Sequence, residues 1–273
     1  MECKSHRDYM DKEYSIPVLE EEVKEDLLDM IKRYSPIGIV LVGSYSMPYR
    51  DKESDYDFEI VVNDSEYFSI EGNRALLIKH ESTVRPIEYL FRSRSEFLNK
   101  INSFNDIEHW PYQGGCIIYD ENCFMRDTIA QIMSIDKKNF QNRAKIHYFE
   151  FLFFIKRLKR ICQIENAYNY GISFNCAYIS IIRLLFVIEL KWPPAMHWAY
   201  QNVCLLGDKA KEIVDLLLQV EQQFSEDKID AIISKVDKYL FERNFSFQID
   251  KNSLTAEVCS EKMLDDRSRY SLL

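Results

Sequence analysis

Two aspartates separated by one residue, Asp55 and Asp57, are the side chains of this sequence whose type and spacing best suit chemistry. Residues 55–62 alternate in a period of two, which indicates a half-buried strand and puts both carboxylates on the same face. Neighbouring carboxylates repel each other unless a cation lies between them, and their hard oxygens suit Mg²⁺. The pattern therefore predicts a magnesium site, and the alternative is a solvated acidic edge.

A tight turn is predicted just before this strand. Residues 37–42 form a short apolar run rich in β-branched side chains, which predicts a buried strand. Gly43 ends that run where the backbone must turn closely around something. Residues 45–49 are predicted as a short helix, so a strand, a turn, a helix and a second strand follow one another.

This order of elements, with its residues, resembles the nucleotidyltransferase superfamily related to DNA polymerase beta. The motif of that family is Gly-Ser, a short helix, then Ser-Asp-x-Asp and an apolar residue. The matching residues here are Gly43, Ser44, Ser54, Asp55, Asp57 and Phe58. The sequence departs from the family after Gly-Ser, where Ser46 and Pro48 stand in place of the usual Ala and Gly.

The resemblance implies the roles of these residues. Gly43, Ser44 and Ser54 would bind a nucleoside triphosphate, with ATP as the first candidate, since unpaired N–H groups at a helix start bind phosphate. Asp55 and Asp57 would hold Mg²⁺ against the phosphates. An acceptor hydroxyl would then attack the α-phosphorus, and pyrophosphate would leave.

Glu88 is the predicted third carboxylate of the metal site. It lies in a predicted strand at residues 85–91, which forms a hairpin with a strand at residues 75–79. The family places such a carboxylate on a strand beside the Asp pair, where it completes the metal site or takes the acceptor's proton. The rival is Glu59, but residues two apart on a strand are separated by about 7 Å, so Glu59 would reach a shared ion poorly. The alternative for Glu88 is an exposed strand residue.

The chain is predicted to be an α+β protein of two domains. Residues 1–136 would form a mixed-sheet catalytic domain, with helices at residues 17–34, 94–101 and 123–135 and a last strand at 116–119. Residues 137–273 would form a bundle of five or six helices, with segments at 143–164, 172–190, 209–224 and 227–243.

The helical domain is predicted to bind the acceptor. Glu150 lies on a helical stripe with His147, and a carboxylate among aromatic side chains can have a raised pKa that suits proton abstraction. A glutamate of the helical domain has that role in the kanamycin-modifying relatives, but a simple intrahelical contact between Glu150 and His147, one turn back, is the favoured explanation. Tyr148 and Trp192 would supply aromatic faces. Arg183, in the apolar segment 176–188, must be paired if it is buried.

Composition limits the partners and the compartment. A net charge of −9 at pH 7 argues against broad nucleic-acid binding. The seven cysteines include no CxxC pair, and the first residues contain no apolar core, which together predict a reducing cytoplasm and no signal peptide. The apolar segment at residues 176–188 is shorter than the roughly 20 residues that a membrane span needs.

Three functions remain open at this stage. The first is transfer to a small molecule, for which an aminoglycoside or lincosamide antibiotic is the best analogy, because acidic clefts suit cationic drugs and would give antibiotic resistance. The second is modification of a protein partner or an RNA end, which a basic cluster from Lys156 to Arg160 could serve. The third is a catalytically silent nucleotide-binding protein.

Overall fold

The computed structural model describes residues 19–247 except 51, 53, 71–76, 82–84 and 164–166. The predicted helix start at residue 17, the predicted strand start at residue 75 and the polar end of the chain after residue 247 lie outside these residues. Within them the chain forms two compact units that divide between Ser134 and Ile135, and Phe104–Asp106 belongs to the second unit.

The first unit contains a mixed five-stranded sheet. Its helices are α1 (Glu21–Tyr34), α2 (Asp64–Ser69), α3 (Arg94–Asn99) and α4 (Phe124–Ile132), and its strands are β1 (Gly38–Val42), β2 (Tyr56–Val62), β3 (Leu77–Glu81), β4 (Pro86–Ser93) and β5 (Cys116–Asp120). The strand order is β3-β4-β2-β1-β5. The β2 and β4 strands are parallel, and the other three neighbouring pairs are antiparallel. The predicted α+β class with a mixed sheet followed by helices is confirmed.

The two faces of this sheet carry different kinds of side chain. One face carries the apolar core of the unit, in which α1 contributes Val23 and Leu27 and the strands contribute side chains such as Phe58 and Tyr89. The opposite face of β2 and β4 carries the intervening residues, which are mostly charged. The period-two alternation of residues 55–62 therefore separates a buried apolar face from a face that carries charged residues.

The predicted helix at residues 45–49 is wrong. The structure has a single 3-10 turn at Ser44–Ser46, and Met47 is already extended, with φ −95° and ψ 156°. The reason is Pro48, because a proline disfavours the helical conformation of the residue before it. The chain consequently leaves the turn after three residues instead of continuing as a helix.

The second unit consists of helices: α5 (Lys137–Gln163), α6 (Ala167–Ile188), α7 (Ala199–Leu206), α8 (Asp208–Gln222) and α9 (Glu226–Glu242). The α5 helix packs against α6, and α8 packs against α7 and α9. The prediction missed α7 and placed the other helices within a few residues of these bounds, except that α5 and α6 begin earlier. Arg183 on α6 is paired as expected, since its Nε lies 4.0 Å from Asp106 Oδ2.

One helix of the described residues is long and apolar enough to cross a membrane. It runs from Tyr168 to Ile188, 21 residues with a mean hydropathy of 1.8, so the apolar segment is longer than the predicted residues 176–188. Within the protein, 61% of its most apolar window is buried. A core helix of a globular unit meets the same criterion of length and composition, and α6 is the central helix of this unit.

Candidate active site

The Gly43 turn brings the backbone against the carboxylate of Asp57. Gly43 has φ +73°, and a Cβ atom at this position would lie 1.9 Å from Asp57 Oδ2. The Ser46 hydroxyl donates a hydrogen bond to the Gly43 carbonyl oxygen at 2.8 Å, which holds the turn closed. Both the conformation and the space therefore require glycine, and the predicted close approach is between Gly43 and one of the predicted metal ligands.

Asp57 and Glu88 are direct neighbours on the parallel strands β2 and β4. Adjacent strands lie about 4.8 Å apart, and residues paired in register point to the same face. Asp55 lies just before the first residue of β2, Tyr56, so it is outside the regular strand that was predicted to include it. The structure thus brings two of the three predicted carboxylates side by side and leaves Asp55 at the entrance of the strand.

Asp57 and Glu88 offer Mg²⁺ two carboxylate ligands and not a complete coordination shell. In the part of the chain that the structure describes, no three His, Cys, Asp or Glu side chains are close enough to hold one ion. Mg²⁺ is usually bound by one or two carboxylates together with substrate phosphates and waters. The Asp57 and Glu88 pair beside the Gly43 turn therefore suits an ion that arrives with a nucleotide.

Arg85 positions the loop that leads to Asp55. Its Nη1 donates hydrogen bonds to the carbonyl oxygens of Ser54 at 2.8 Å and Lys52 at 3.3 Å. Its guanidinium lies 5.1 Å from the centroid of the Tyr45 ring, which is part of the turn after Gly43. One side chain from the residue just before β4 thus contacts both segments of the motif. This role of Arg85 was not predicted from the sequence.

The predicted nucleotide ligands Ser44 and Ser54 are both buried. Ser44 begins the 3-10 turn directly after Gly43, and Ser54 ends the loop before Asp55. The backbone of Ser54 is fixed by Arg85, as described above. The two serines therefore lie at the ends of the segment that joins β1 to β2, beside the carboxylates.

Glu59 is fully engaged by other side chains. Its Oε1 lies 3.0 Å from Arg92 Nε and 2.9 Å from Lys100 Nζ, and its Oε2 accepts a short hydrogen bond from the Tyr112 hydroxyl. Burial alone would raise the pKa of Glu59, but Lys100, Tyr112 and Arg92 outweigh burial and hold the pKa below its usual range. Glu59 is thus an ionised structural group, whereas Glu88 stands next to Asp57.

Lys100 is the centre of this network. It is only 8% exposed, and its Nζ contacts Glu59, the Tyr112 hydroxyl at 2.7 Å and Glu108 Oε2 at 3.2 Å. Burial first and Glu59 second raise the pKa of Tyr112 well above its usual value, so this hydroxyl stays protonated and donates to Glu59. The sequence analysis missed Lys100 and Tyr112, because contacts between residues so distant along the chain have no local signature.

A cavity of about 280 Å³ opens between these groups within the first unit. Its lining includes Gly43, Asp57 and Glu88 together with Arg92, Lys100 and Glu108. The cavity also has apolar walls formed by side chains such as Leu90 and Trp110. The predicted metal ligands Asp57 and Glu88 therefore face a space in which a substrate group could be held.

The acceptor residues predicted in the helical domain have structural contacts in the second unit. Tyr148 donates a hydrogen bond to Asp237, and Trp192 packs edge-on against Phe140 with 5.0 Å between ring centroids. Tyr148 and Trp192 are both buried. Their predicted role in binding an acceptor stays a prediction.

Glu150 makes the intrahelical contact that the sequence left open. Its Oε2 lies 3.4 Å from His147 Nδ1. Burial lowers the pKa of His147 to about 4, although Glu150 opposes the shift, so the imidazole is neutral at pH 7. Glu150 therefore has a neutral neighbour on α5, and its predicted role as a base stays a prediction.

Gly43→Ala tests the geometry of the turn. A residue with a side chain at the positive φ of Gly43 costs about 1–2 kcal/mol more than glycine, and the new methyl group must also displace Asp57. We therefore expect the free energy of unfolding to fall by at least about 2 kcal/mol. The measurement is urea unfolding. Gly171→Ala is the matched control, because a Cβ there meets nothing within 4 Å. In a helix this change should raise stability by about 0.5–1 kcal/mol.

Lys100→Met tests the buried network. Removing one partner of a buried ion pair leaves an uncompensated charge, so we expect a loss of about 3 kcal/mol at pH 7. Glu59 has a lowered pKa, so its contribution to stability is present above its unfolded pKa and is lost as pH falls through the folded value. Adding Glu59→Gln to Lys100→Met should restore part of the loss in urea unfolding. Additive losses in the double variant would contradict the coupling of the two groups.

Comparison with known proteins identifies one domain. Residues 20–112 match the family model described as a nucleotidyltransferase domain. This stretch contains Gly43, the Asp pair and Glu88, and the match confirms the resemblance predicted from the Gly-Ser turn and the Asp-x-Asp strand.

Similarity to individual proteins is low. A solved structure of a nucleotidyltransferase-like protein from Exiguobacterium sibiricum shares 15% sequence identity, covers 91% of each chain and superposes with a TM-score of 0.45. None of the curated proteins matches the sequence. These similarities do not carry a substrate over to this chain.

Proposed function

We propose that this chain, whose residues 20–112 form a nucleotidyltransferase domain, moves a nucleoside monophosphate from ATP or another nucleoside triphosphate to a hydroxyl group of a small molecule, with Mg²⁺ as cofactor. The observation that carries the proposal is the pairing of Asp57 and Glu88 beside the Gly43 turn. The acceptor oxygen forms a bond to the α-phosphorus, the bond from that phosphorus to the β-phosphate oxygen breaks, and pyrophosphate leaves.

The triphosphate is assigned to the segment between β1 and β2. Ser44 follows the Gly43 turn and Ser54 precedes Asp55, so hydroxyl and backbone groups from both ends of this segment can face the phosphates. Arg85 holds the Ser54 end in place through the backbone. Pro48 removes one backbone donor, so fewer N–H groups are offered to phosphate than in a regular helix start.

The metal is assigned to the pair Asp57 and Glu88, and Asp55, just before β2, is the third predicted ligand. When bound there with the phosphate oxygens, Mg²⁺ would supply charge neutralisation and polarise the phosphates. The three carboxylates do not form a closed site by themselves. We therefore expect tight binding of Mg²⁺ only together with the nucleotide.

Glu88 is assigned as the group that receives the acceptor's proton. It neighbours Asp57 in register, so a hydroxyl that approaches the metal-bound phosphate also approaches this carboxylate. Glu59 is excluded from the same role, since Arg92, Lys100 and Tyr112 hold it. Glu150 is the alternative base.

An aminoglycoside or lincosamide antibiotic is our first candidate acceptor. The net charge of −9 favours small or cationic partners over nucleic acid. In that case the protein would confer antibiotic resistance in the cytoplasm. Glu150, Tyr148 and Trp192 stay candidates for further contacts with the drug.

A pyrophosphate-release assay tests the proposal. Purified protein is incubated with ATP, GTP, CTP or UTP, with and without Mg²⁺, against a panel of aminoglycosides and lincosamides. We expect release above background with at least one nucleotide and acceptor, and loss of release in EDTA that added Mg²⁺ restores. Absence of release with every nucleotide, from protein that is folded by circular dichroism, would refute the proposed transfer.

Transfer to an RNA end is the second candidate, because the cluster from Lys156 to Arg160 is exposed on α5. Part of this cluster is already used, since Lys159 pairs with Glu226 and Arg157 lies 3.9 Å from the centroid of the Phe153 ring. Binding of a small-molecule acceptor and binding of an RNA acceptor should differ in their dependence on salt.

The acceptor KM should change only a few-fold between about 50 and 200 mM salt, since only a drug-sized cation must be held. Binding that neutralises several phosphates would instead weaken about a hundredfold or more over that range. A steep dependence that disappears in the Lys156→Ala/Arg160→Ala double variant would favour an RNA acceptor.

A further inference from the structure

The cavity of the first unit contains a second set of charged groups beyond the proposed metal ligands. Along β2, Glu59 follows Asp57 on the same face. Along β4, Arg92 lies four residues after Glu88 on the same face. Besides the pair Asp57 and Glu88, here called the outer carboxylates, the cavity is lined by Glu59, Arg92, Lys100 and Glu108. These four residues are called the inner layer, because Glu59 and Lys100 are buried. The following inference rests on the function proposed above and concerns what this inner layer binds.

The inner layer is electrically balanced. It contains the carboxylates of Glu59 and Glu108 and the cations of Arg92 and Lys100, which are linked by ion pairs of 2.9 to 3.2 Å. The two positive and two negative charges cancel, so the inner layer has no net charge for a ligand to neutralise. A ligand that enters this layer must instead satisfy closely spaced donors and acceptors.

Glu108 and Arg92 are the members that can serve a ligand. Glu59 is 4% exposed and is held by three side chains, whereas the Glu108 side chain is 32% exposed and pairs with Lys100 at 3.2 Å. A guanidinium has five N–H donors, and Glu59 takes one of them through Arg92 Nε. The cavity is thus lined by a carboxylate acceptor and a guanidinium donor.

The remaining walls are apolar and include one large aromatic ring. Leu90, Ile107, Trp110 and Pro111 line the cavity, and Ile107 is among the exposed large apolar residues of the unit. A volume of about 280 Å³ lies at the lower end of the range for ligand pockets, so it fits a ring-sized fragment rather than a whole drug. Nucleic acid would need a longer, basic surface.

These features suit a compact ring that carries hydroxyl groups. Each hydroxyl both donates and accepts a hydrogen bond, which suits a cavity lined by the Glu108 carboxylate and the Arg92 guanidinium. The C–H faces of such a ring pack on apolar and aromatic walls. We infer that this cavity is the subsite for a hydroxylated ring of the acceptor, with Glu108 and Arg92 as the residues that select it. The hydroxyl that reacts is then the one that remains near Glu88.

The ribose of the nucleotide is a second source of the same chemistry. Both a sugar ring of the acceptor and a ribose present neighbouring hydroxyl groups. The acceptor is favoured because Arg92 follows Glu88, the assigned proton acceptor, on β4, whereas Ser44 and Ser54 belong to the segment between β1 and β2. The experiment must therefore separate the KM of the acceptor from that of the nucleotide.

Two variants test the subsite. Glu108→Gln removes the carboxylate with little change of shape at a partly exposed position. Ile107→Trp fills the cavity from an exposed position, so neither change requires a rebuilt core. The matched controls are Glu121→Gln, an exposed glutamate outside the cavity, and Leu28→Trp, an exposed apolar residue on α1. All four proteins are first compared with the wild type by thermal unfolding.

Ring binding is measured without turnover, by saturation-transfer NMR with kanamycin and with the neutral trisaccharide maltotriose. The wild type and the controls should bind both, and Glu108→Gln and Ile107→Trp should weaken binding at least tenfold. In the transfer assay the acceptor KM should rise at least tenfold in the same two variants, a larger change than in the KM of ATP. Discrimination between ATP and 2′-deoxy-ATP should match the wild type.

The failures of the subsite and of the function are distinguishable. Pyrophosphate release with an unchanged acceptor KM in both variants would refute the subsite and leave the function standing. No ring binding by the wild type would also refute the subsite. A rise in the KM of ATP with loss of discrimination against 2′-deoxy-ATP would assign the cavity to the ribose and overturn the inference. In a fourth outcome, the wild type binds the rings and both variants lose that binding, while the wild type releases no pyrophosphate. That result would refute the proposed function and leave the subsite standing.

Discussion

Asp57→Asn is expected to lower nucleotidyl transfer at least 10²-fold while the protein stays folded. Asp57 neighbours Glu88 in register, and its carboxylate lies directly against the Gly43 turn. Asparagine keeps the shape but removes the charge, so Mg²⁺ is bound more weakly and the negative charge of the triphosphate is left without compensation. Asp55→Asn is expected to act in the same direction, since Asp55 is assigned to the same ion.

The measurement is the initial rate of pyrophosphate release at saturating Mg²⁺, with urea unfolding as the check on the fold. Asp127→Asn is the matched control, because Asp127 is an exposed aspartate on α4. It should keep the wild-type rate. Retention of more than about a tenth of the rate in Asp57→Asn would contradict the assignment of Asp57 as a ligand, since a group that stabilises transition-state charge is typically worth 10²-fold or more.

The sequence was sufficient for the parts of the fold that depend on local patterns. The alternation of residues 55–62 identified β2 and separated its apolar face from its polar face, and Gly43 identified the turn before it. The β4 strand, Pro86–Ser93, was predicted at residues 85–91 as one strand of a hairpin, with a difference of one residue at its start and two at its end. These features were predictable because period and turn chemistry are properties of a few consecutive residues.

Side-chain partners far apart in the sequence were not predictable. Tyr112 and Glu59 are 53 residues apart, and Arg85 and Ser54 are 31 residues apart. Their meeting depends on the strand order and on how the segment after α3 covers the sheet, which no local pattern encodes. Glu59 shows the consequence, since it shares a face with Asp57 and was a rival of Glu88 for the metal until its partners were known.

Short elements were the other source of error. The α2 helix has six residues and α7 has eight, too few turns for a clear helical period. The predicted helix at residues 45–49 failed for a different reason, because the restriction that Pro48 places on Met47 is stronger than the preference of the surrounding residues. Proline effects of this kind can be read from the sequence when they are weighed against the pattern.

The choice between Glu88 and Glu150 as the base has the second large expected effect. If Glu88 receives the acceptor's proton, Glu88→Gln should lower kcat by roughly 10²- to 10⁴-fold with little change in the affinity for nucleotide. Glu150→Gln should be nearly neutral, because Glu150 contacts a neutral His147 on its own helix and glutamine can keep that contact. The two variants make the same chemical change, so each is the control for the other.

The dependence of each variant on the acceptor separates a base from a metal ligand. A lost base lowers kcat for transfer to a hydroxyl but leaves the nucleotide and its ion bound, so nucleotide binding measured without acceptor should be nearly unchanged in Glu88→Gln. A lost ligand weakens that binding as well, and excess Mg²⁺ should then restore part of the rate. A large kcat loss in Glu150→Gln beside a small one in Glu88→Gln would reverse the two roles.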